Sequence, residues 1–513
     1  MDTPLLRLSS EDFFTIRDAC QGVCIFGGIG SGKTSGSGQF LAKAYLRAGM
    51  GGLVLCAKPE EAALWRHYVT VTGRSNSLIE FDGRQHGFNF ISYELARQGV
   101  AGLNAVVECL MRVIEAARLA SSGSGRGGDV FWDDTTRQVL RNSIPVLYAA
   151  YGAISIADIR NFVRTAPRSP AEMQDATWQD TSFMCASFMK AAPNLEPDVA
   201  TAIGQFWRDE FATLDAKTRG NIVISLTTTL DRFNHGWLQH AFCGRTTVVP
   251  ELCFQGAIIL LNMPALTLNE DGIIAQQLFK YMWQRAVLAR NALPAVFQQR
   301  PVFIWADEAQ YFVNSYDAEF QSTCRGSRAC TVYLSQSLPT YYAKMSGENS
   351  RERVHHLLGN FATKVFHNNA CPETNEWAAR TIGKRIQRRA NYSETEGTNT
   401  SFSMNRGSNV NRGTNNSFGS NTDANGRTSS GGNYGSSSGT GENWGENRSH
   451  GTSSGTSHGY NEHMEYVFEP AEFGRMLRTG GPPNGNRVSA IWYQAGRRFN
   501  ASHQNLLHTV FEQ

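Results

Sequence analysis

The sequence lacks the cysteine patterns that mark disulfide-bonded or zinc-binding proteins. It contains ten cysteines in 513 residues, but no Cys-x-x-Cys pair and no Cys/His spacing of a zinc site. Four of them, Cys24, Cys56, Cys253 and Cys330, lie in apolar, strand-like runs. Such positions are typical of buried thiols in a reducing compartment. We therefore expect neither disulfide bonds nor structural zinc.

Long apolar runs and a strong net charge are also missing. No stretch approaches about 18 uninterrupted apolar residues, and the amino-terminal segment holds no apolar core long enough for a signal peptide. The net charge of +3 gives no bulk indication of nucleic-acid binding, so DNA contacts would require a local patch or an assembled ring. These absences predict a cytoplasmic protein that is soluble, or that is held at the inner membrane only by partners.

Glycine, in contrast, is abundant, with 49 residues, and one glycine-rich stretch has a defined pattern. Residues 27–34 (Gly-Gly-Ile-Gly-Ser-Gly-Lys-Thr) follow the phosphate-binding spacing of Gly, four free positions and Gly-Lys-Thr. The flanks read as a strand at 22–26 and a helix at 40–48. A flexible glycine-rich turn, the alternative interpretation, explains neither flank. We predict nucleotide contacts from Gly27, Gly28, Gly30, Ser31, Gly32, Lys33, Thr34 and Ser35.

The same stretch predicts how ATP and Mg²⁺ are held. Glycines allow backbone N–H groups to point at a phosphate chain, and a helix amino terminus adds positive potential. Lys33 is expected to reach the β- and γ-phosphates, and the Thr34 hydroxyl to bind Mg²⁺.

A second acidic motif ends an apolar strand at residues 302–308 (Val-Phe-Ile-Trp-Ala-Asp-Glu). Nucleotide hydrolysis needs one carboxylate near Mg²⁺ and another to polarise the attacking water. Asp307 suits the metal role and Glu308 the catalytic role. An ordinary strand followed by an acidic turn is the alternative, and the phosphate-loop motif in the same chain favours the catalytic interpretation.

Three polar residues after this motif are further candidates. Gln336 follows the strand 331–334 and could contact the γ-phosphate or its water, although a polar strand end is an equally good interpretation. Arg325 and Arg328 precede that strand. Taken alone, each arginine reads as a solvated surface charge.

The order of elements predicts an α/β fold interrupted twice. Strands and helices alternate over 1–95 and again over 241–390 and 462–513, as in a parallel sheet, and we assign these three parts to a nucleotide-binding domain. Residues 96–240 read as helices, including a loop at Ser121–Gly128, and form a predicted inserted all-helical domain. Residues 391–461 are rich in Ser, Gly, Asn and Thr, and this composition predicts a disordered insertion.

Taken together, these motifs resemble those of one ATPase family. The phosphate loop, Ile304–Gln310 (Ile-Trp-Ala-Asp-Glu-Ala-Gln) and Tyr333–Leu338 (Tyr-Leu-Ser-Gln-Ser-Leu) occur in the order typical of the FtsK/HerA branch of RecA-like P-loop motor ATPases. More narrowly, the chain is similar to the TraG/TraD coupling proteins of type IV secretion and conjugation. Further resemblances lie at Cys56–Ala62 with Trp65, Phe131–Asp134, Asn360–Lys364 and Pro372–Thr374. Unlike typical members, the chain has no transmembrane segment.

The resemblance implies a RecA-like ATPase in a homo-oligomeric ring, expected to be a hexamer. It implies that Gln336 senses the γ-phosphate and that Arg325, or else Arg328, reaches the nucleotide of the neighbouring subunit. The implied partners are DNA without sequence specificity, a relaxase or other secreted protein, and the type IV secretion machinery at the inner membrane. Two alternatives stay open: a HerA/FtsK-like DNA-processing translocase of the cytosol, and an ATP-dependent adaptor that recruits protein substrates.

Overall fold

The computed structural model describes residues 1–120, 130–345, 349–409, 415–422, 428–435 and 441–513. These residues form two compact units, of which the first comprises Met1–Gly383 and Tyr466–Gln513 and the second Lys384–Glu465. The loop predicted at Ser121–Gly128 lies outside the described residues. All ten cysteines are free thiols, and the four in apolar runs are buried.

The strands of the chain are numbered in sequence order. They are β1 (Pro4–Arg7), β2 (Phe13–Thr15), β3 (Val23–Phe26), β4 (Gly51–Leu55), β5 (Leu78–Phe81), β6 (Ile258–Leu261), β7 (Val302–Ala306), β8 (Ala329–Ser335), β9 (Thr363–Phe366), β10 (Lys384–Asn409), β11 (Asn415–Thr422), β12 (Thr428–Gly435), β13 (Gly441–Tyr466), β14 (Arg487–Gln494) and β15 (Leu506–Glu512).

The helices are numbered in the same way. They are α1 (Ile16–Ala19), α2 (Gln39–Arg47), α3 (Pro59–Val71), α4 (Phe90–Gln98), α5 (Gly102–Ala120), α6 (Val130–Tyr151), α7 (Ile156–Arg164), α8 (Ala176–Thr181), α9 (Phe183–Ala191), α10 (Pro197–Gln205), α11 (Ala216–Asp231), α12 (Gly236–Phe242), α13 (Ala265–Ala289), α14 (Ala295–Gln298), α15 (Tyr316–Thr323), α16 (Leu338–Lys344), α17 (Ser350–Gly359), α18 (Pro372–Ile382) and α19 (Glu472–Arg475).

A nine-stranded sheet forms the centre of the first unit, in the order β15-β14-β9-β3-β8-β7-β4-β6-β5. The seven strands from β9 to β5 are parallel, whereas β14 pairs antiparallel with both β9 and β15. Every residue of β3, β4, β6 and β7 is buried. Strands covered on both faces read as continuous apolar runs, which is why the sequence reveals them.

The two faces of the sheet belong to two separate hydrophobic cores. Val23 and Ile25 of β3 pack into one core, and Cys24 and Phe26 into the other. This division follows from the strand geometry, because successive side chains of a strand point to opposite faces. Helices α2 and α3 contribute to the first core, with Tyr45 among the buried residues.

Between β5 and β6 the described residues form helices and no strand, from α4 to α12. These helices begin at Phe90, before the predicted boundary at 96, and end at Phe242. They pack into the second core together with α13 and one face of the sheet. The helical segment is therefore part of the same compact unit as the sheet.

The second unit differs from the sequence-based expectation. Residues 391–461 have the composition of a disordered chain, yet the described ones form β10 paired with β13 and β11 paired antiparallel with β12. The physical reason is that an antiparallel ladder satisfies backbone hydrogen bonds without burying apolar side chains. The scarcity of aliphatic residues shows that the segment cannot form a hydrophobic core, but it gives no information about backbone pairing of this kind.

Candidate functional site

Five neighbouring parallel strands end at the same edge of the central sheet, and the predicted site residues follow them. In sheet order the strands are β9, β3, β8, β7 and β4. The glycine-rich loop follows β3, the two acids follow β7, and Gln336 follows β8. Ligands of open parallel sheets bind at this carboxyl edge. The sheet thus brings together residues that are about 300 positions apart in the chain.

The loop after β3 is shaped by its glycines. Gly30 and Gly32 have φ angles of 70° and 80°, a region that favours glycine. A β-carbon at Gly32 would lie 2.5 Å from Cγ2 of Val488, and one at Gly27 would lie 2.3 Å from Oγ of Ser31. Neither position therefore has room for a side chain.

The Ser31 hydroxyl is buried and has no hydrogen-bond partner among the described residues. An unpaired buried hydroxyl is unfavourable, and a phosphate oxygen would satisfy it. Directly after the loop, Thr34–Gly38 forms a distorted helical turn before α2, with Gly36 at φ −98° and ψ −113°. The residues of the loop fit a phosphate chain.

The Thr34 hydroxyl donates a hydrogen bond of 2.6 Å to Oδ2 of Asp307. This contact joins the end of the loop to the end of β7 and provides two hard oxygen ligands of the kind that Mg²⁺ prefers. Among the described residues no group of three or more His, Cys, Asp or Glu side chains is placed to hold a metal ion. The donor set fits Mg²⁺, which is commonly bound by one or two protein oxygens together with substrate phosphates.

Glu308 adopts the left-handed backbone conformation, with φ 48° and ψ 47°. Its N–H donates to Oδ1 of Asp307 at 2.9 Å, and its side chain is only 2% exposed. Left-handed backbone is rare for a non-glycine residue and marks a strained position. This backbone conformation places the Glu308 side chain in the site beside Asp307.

Four side chains contact the Glu308 carboxylate. Oε1 accepts a hydrogen bond from Gln336 at 3.0 Å and one from Lys58 at 3.2 Å, and lies 3.7 Å from Nζ of Lys33. Oε2 accepts a hydrogen bond from Gln310 at 2.8 Å. The predicted acid, lysine and glutamine therefore form one cluster.

These contacts set the charge of the Glu308 carboxyl. Burial by itself raises its pKa, but the charge of Lys33, the hydrogen bonds from Gln310 and Gln336, and the charge of Lys58 together lower the pKa below its ordinary value. Glu308 is consequently ionised at neutral pH. An ionised carboxylate is the form that polarises a water molecule.

Three residues of this site have functions that the sequence motifs do not indicate. Lys58 follows β4 and forms an ion pair with Glu308. Gln310 holds Glu308 and accepts a hydrogen bond of 2.6 Å from Ser335. Glu61 lines a small cavity together with Thr34 and Asp307. Burial and the charge of Asp307 raise the pKa of Glu61 to about 8. Lys58 and Glu61 lie in the stretch Cys56–Ala62 and Gln310 lies in Ile304–Gln310. The motifs single out both stretches, but their spacing gives no indication of these contacts.

His367 follows β9 and is completely buried beneath the loop. Its Nε2 lies 2.7 Å from Oγ of Ser37. Burial, and next the charge of Lys33, lower the pKa of His367 to about 3. The imidazole therefore stays neutral in the folded protein over the usual pH range.

We expect His367 to make the fold sensitive to acid. The unfolded chain takes up a proton at His367 below pH 6.5, whereas the folded protein does not until about pH 3. Stability linked to this group is complete above pH 6.5 and is lost as the pH falls, by about 2 kcal/mol between pH 6.5 and pH 5. The free energy of unfolding, measured with urea, should be lower at pH 5 than at pH 6.5 in the parent protein. In His367→Asn this decrease should be smaller by about 2 kcal/mol. The exposed His356→Asn variant is the control, and an equal loss in all three proteins would contradict the assignment.

Arg325 and Arg328 lie at the opposite edge of the sheet. Both precede β8, which runs from Ala329 to Ser335, so Arg328 is about 26 Å along the strand from Gln336. The Arg328 guanidinium donates a hydrogen bond of 2.7 Å to the carbonyl of Gln299. The exposed Arg325 forms no ion pair or side-chain hydrogen bond with another described residue. Neither arginine belongs to the cluster around Glu308.

Structural comparison assigns the fold. No known protein-family profile and no curated protein matches the chain. The bacterial conjugative coupling protein TrwBdeltaN70, in its unbound monoclinic form, matches with a TM-score of 0.56 and 12% sequence identity, covering 100% of this chain and 89% of that chain. This likeness confirms the predicted α/β P-loop ATPase fold and the resemblance to coupling proteins at the level of fold.

Two further matching structures of plasmid coupling protein TrwB contain nucleotides. The complex with ADP and Mg²⁺ has a TM-score of 0.56 and 12% identity, covering 100% of this chain and 89% of that chain. The complex with the non-hydrolysable ATP analogue ADPNP has a TM-score of 0.55 and 14% identity, with coverages of 100% and 90%. In the part of this chain that the structure describes, no helix combines the length and hydropathy needed to cross a bilayer.

Proposed function

We propose that this chain is an ATP-driven motor of the type IV coupling-protein kind. It hydrolyses ATP to recruit DNA, or a DNA–protein complex, and to move it towards a secretion or conjugation channel. The observation that carries the proposal is the cluster of Lys33, Glu308 and Gln336 beside the Thr34–Asp307 pair, at the carboxyl edge of the sheet. The fold of TrwB, matched along the whole chain, supports it.

Each part of the site has a role in this proposal. The loop 27–35 holds the phosphate chain through its N–H groups, through the Ser31 hydroxyl and through Lys33. Thr34 and Asp307 hold Mg²⁺, which neutralises charge on the phosphate oxygens when bound. Glu308 polarises the attacking water, and Gln336 senses the γ-phosphate.

The contacts of Glu308 indicate how hydrolysis is coupled to nucleotide binding. Lys33 and Gln336 both contact Glu308 in the structure. A γ-phosphate competes for the same two donors, so ATP binding weakens their hold on Glu308. Lys58 keeps the carboxylate ionised, at a distance of 3.2 Å. The acid thus becomes available to water only when the triphosphate is present.

The assembly and partners follow from the same proposal. A homo-oligomeric ring, expected to be a hexamer, places Arg325 of one subunit near the nucleotide of the next, which is consistent with its position far from its own site. The partners are DNA, a relaxase or other secreted protein, and the secretion machinery at the inner membrane. A buried, ionised Glu308 argues against a role as an adaptor that only binds ATP, because binding does not need an acid that polarises water.

The test is nucleotide binding and ATP hydrolysis, measured with and without DNA. Lys33→Ala should abolish detectable nucleotide binding, because it removes the cation on the phosphates. The exposed Lys217→Ala variant is the matched control and should bind ATP normally. Stimulation of the parent ATPase by DNA separates a DNA motor from a protein adaptor. Normal ATP binding by Lys33→Ala would contradict the site.

A further inference from the structure

The second unit contains a long two-stranded ribbon, β10 paired with β13. The contacts Arg388–Glu462 and Ser401–Ser449 show that its strands run antiparallel. Each strand has 26 residues, which corresponds to a length of about 85 Å. Among the described residues these two strands pair only with each other. Within 391–404 and 445–461, one edge of each strand therefore has no strand paired with it among the described residues.

Cross-strand contacts define the register of this ribbon. Arg388 pairs with Glu462 at 2.8 Å, and the rings of Tyr392 and His458 lie 5.3 Å apart. Farther along, Ser401 and Ser449 are hydrogen-bonded at 2.8 Å. Even-numbered residues thus face even-numbered ones, and odd-numbered face odd-numbered. The register is constant from one end of this region to the other, so each parity marks one face of the ribbon.

The two faces carry different side chains. Within 391–404 and 445–461, every odd-numbered residue is Gly, Ser, Asn or Thr. All the large and charged side chains of these spans lie on the even-numbered face: Tyr392, Glu394, Glu396, Phe402, Met404, Glu446, Arg448, His450, His458 and Tyr460. The large apolar ones are exposed, Tyr392 by 61%, Phe402 by 51% and Tyr460 by 74%.

This sorting is unexpected for a ribbon surrounded by water. A lone two-stranded ribbon has the same solvent on both faces, and it is marginally stable at best. Sorting by face is typical of sheets whose two faces meet different surroundings, such as the inside and outside of a closed sheet. The pattern therefore indicates that the ribbon is part of a larger sheet, with further strands beside it.

The ribbon edges also lack three of the usual protections against pairing. Exposed edge strands are normally blocked by Pro, by bulges or by charged side chains, especially Lys. Residues 385–465 contain no Pro and no Lys, and the register of the ribbon shows no shift between Arg388 and Ser401. Both edges are open to an added strand.

We propose that the ribbon pairs edge to edge with the ribbon of a second copy of this chain, β13 of one copy beside β10 of the next. The two outer edges run antiparallel to each other, so each added copy repeats the same junction and the copies share one continuous sheet. Such a head-to-tail contact closes into a ring when its rotation permits. In the shared sheet the Gly/Ser/Asn/Thr face lines one side, and the aromatic and charged face lines the other.

This inference goes beyond ATP hydrolysis, and it does not depend on it. The two ends of the ribbon are connected to the first unit at residues that are neighbours in space. The N–H of Val467 donates to the carbonyl of Gly383 at 3.1 Å. Copies associated through their ATPase units would therefore each present one ribbon from the same place in the fold. The pairing itself requires only the backbone edges and the common register.

Hydrogen exchange of the full-length protein tests the pairing. In a lone ribbon about half of the strand N–H groups are hydrogen-bonded, because alternate groups point outward. Pairing on both edges protects nearly all of them. Mass spectrometry should find nearly complete protection of 391–404 and 445–461 in the oligomer, and half or less after dilution to monomer. Protection of half or less in the oligomer, or a protein that stays monomeric at 100 µM, would overturn the proposal.

Proline substitutions at two adjacent residues distinguish pairing at the inner edge of the strand from pairing at its outer edge. N–H groups of neighbouring residues point to opposite edges, so one of Asn399→Pro and Thr400→Pro removes an inward donor and the other an outward donor. An added Ser401→Cys/Ser449→Cys pair reports the internal ladder as an intrachain disulfide. The outward variant should keep that disulfide and lose the extra protection of the oligomer.

The result is independent of the proposed ATPase function. Lys33→Ala, which should not bind nucleotide, is expected to show the same protection of the ribbon as the parent protein. Protection without ATPase activity would support the pairing and contradict the proposed function. ATPase activity in an oligomer whose outward proline variant keeps full protection would contradict the pairing alone.

Discussion

Glu308→Gln is expected to bind ATP with nearly unchanged affinity and to hydrolyse it about 10²- to 10⁴-fold more slowly, the usual contribution of a positioned general base. The amide nearly preserves the shape of the side chain, and it can still accept hydrogen bonds from Gln336 and Lys58, which hold the carboxylate at 3.0 and 3.2 Å. What it loses is the negative charge that polarises water. Single-turnover hydrolysis together with equilibrium ATP binding separates the two effects.

The matched control for this experiment is the neighbouring acid. Asp307→Asn removes charge next to the Thr34 hydroxyl, 2.6 Å away. It should weaken Mg²⁺ binding, so that hydrolysis requires a higher Mg²⁺ concentration. Near-normal turnover by Glu308→Gln would show that another group activates the water. It would leave the loop around Lys33 intact as a nucleotide site.

Mixing two inactive variants is expected to restore activity if subunits complete each other's sites. Arg325→Ala should fold and bind ATP but hydrolyse it about 10³-fold or more slowly, because an arginine on the γ-phosphate contributes at least that much in P-loop GTPases. Lys33→Ala should fail to bind. In rings mixed at equal ratio, about a quarter of the interfaces pair an intact Lys33 site with an intact Arg325 of the neighbour. The mixture should therefore regain up to that share of parent activity.

The structure provides the comparison for this test. Arg328 lies three residues away, and its guanidinium is engaged by the Gln299 carbonyl, whereas Arg325 is exposed. We therefore expect Arg328→Ala to retain more activity than Arg325→Ala. If mixed rings form, as shown by mass measurement, and remain inactive, Arg325 does not act on the neighbouring subunit unless hydrolysis is coordinated around the whole ring. The same mixture made with Arg328→Ala then distinguishes the two arginines.

The sequence determined the strands that carry the site and the chemistry of the motifs. Runs such as Val302–Ala306 are apolar throughout because both faces of the central strands are buried. The glycine spacing before Lys33 is equally local, since the loop needs positive φ angles and room for its own backbone. Features set by neighbouring residues are visible in one sequence without any tertiary information.

The alternation in the ribbon was present in the sequence as well, but composition concealed it. Within 391–404 and 445–461 the odd positions are small and polar, and the even ones carry the aromatics. A test for period two would have indicated a strand, whereas the scarcity of aliphatic residues indicated disorder. Pairing between β10 and β13, across about 50 residues of sequence, depends on backbone groups that are the same for every residue type.

Only the tertiary structure decided which side chains meet. Lys58 lies 250 positions from Glu308 and Gln336 lies 28 positions from it, and no spacing rule joins them. They share one carboxylate because β4, β7 and β8 are neighbours in a parallel sheet and end at the same edge. Arg325 lies at the other edge, beyond reach of its own site, because it precedes β8 whereas Gln336 follows it. Strand order is fixed by the packing of the whole domain, which no short stretch of sequence specifies.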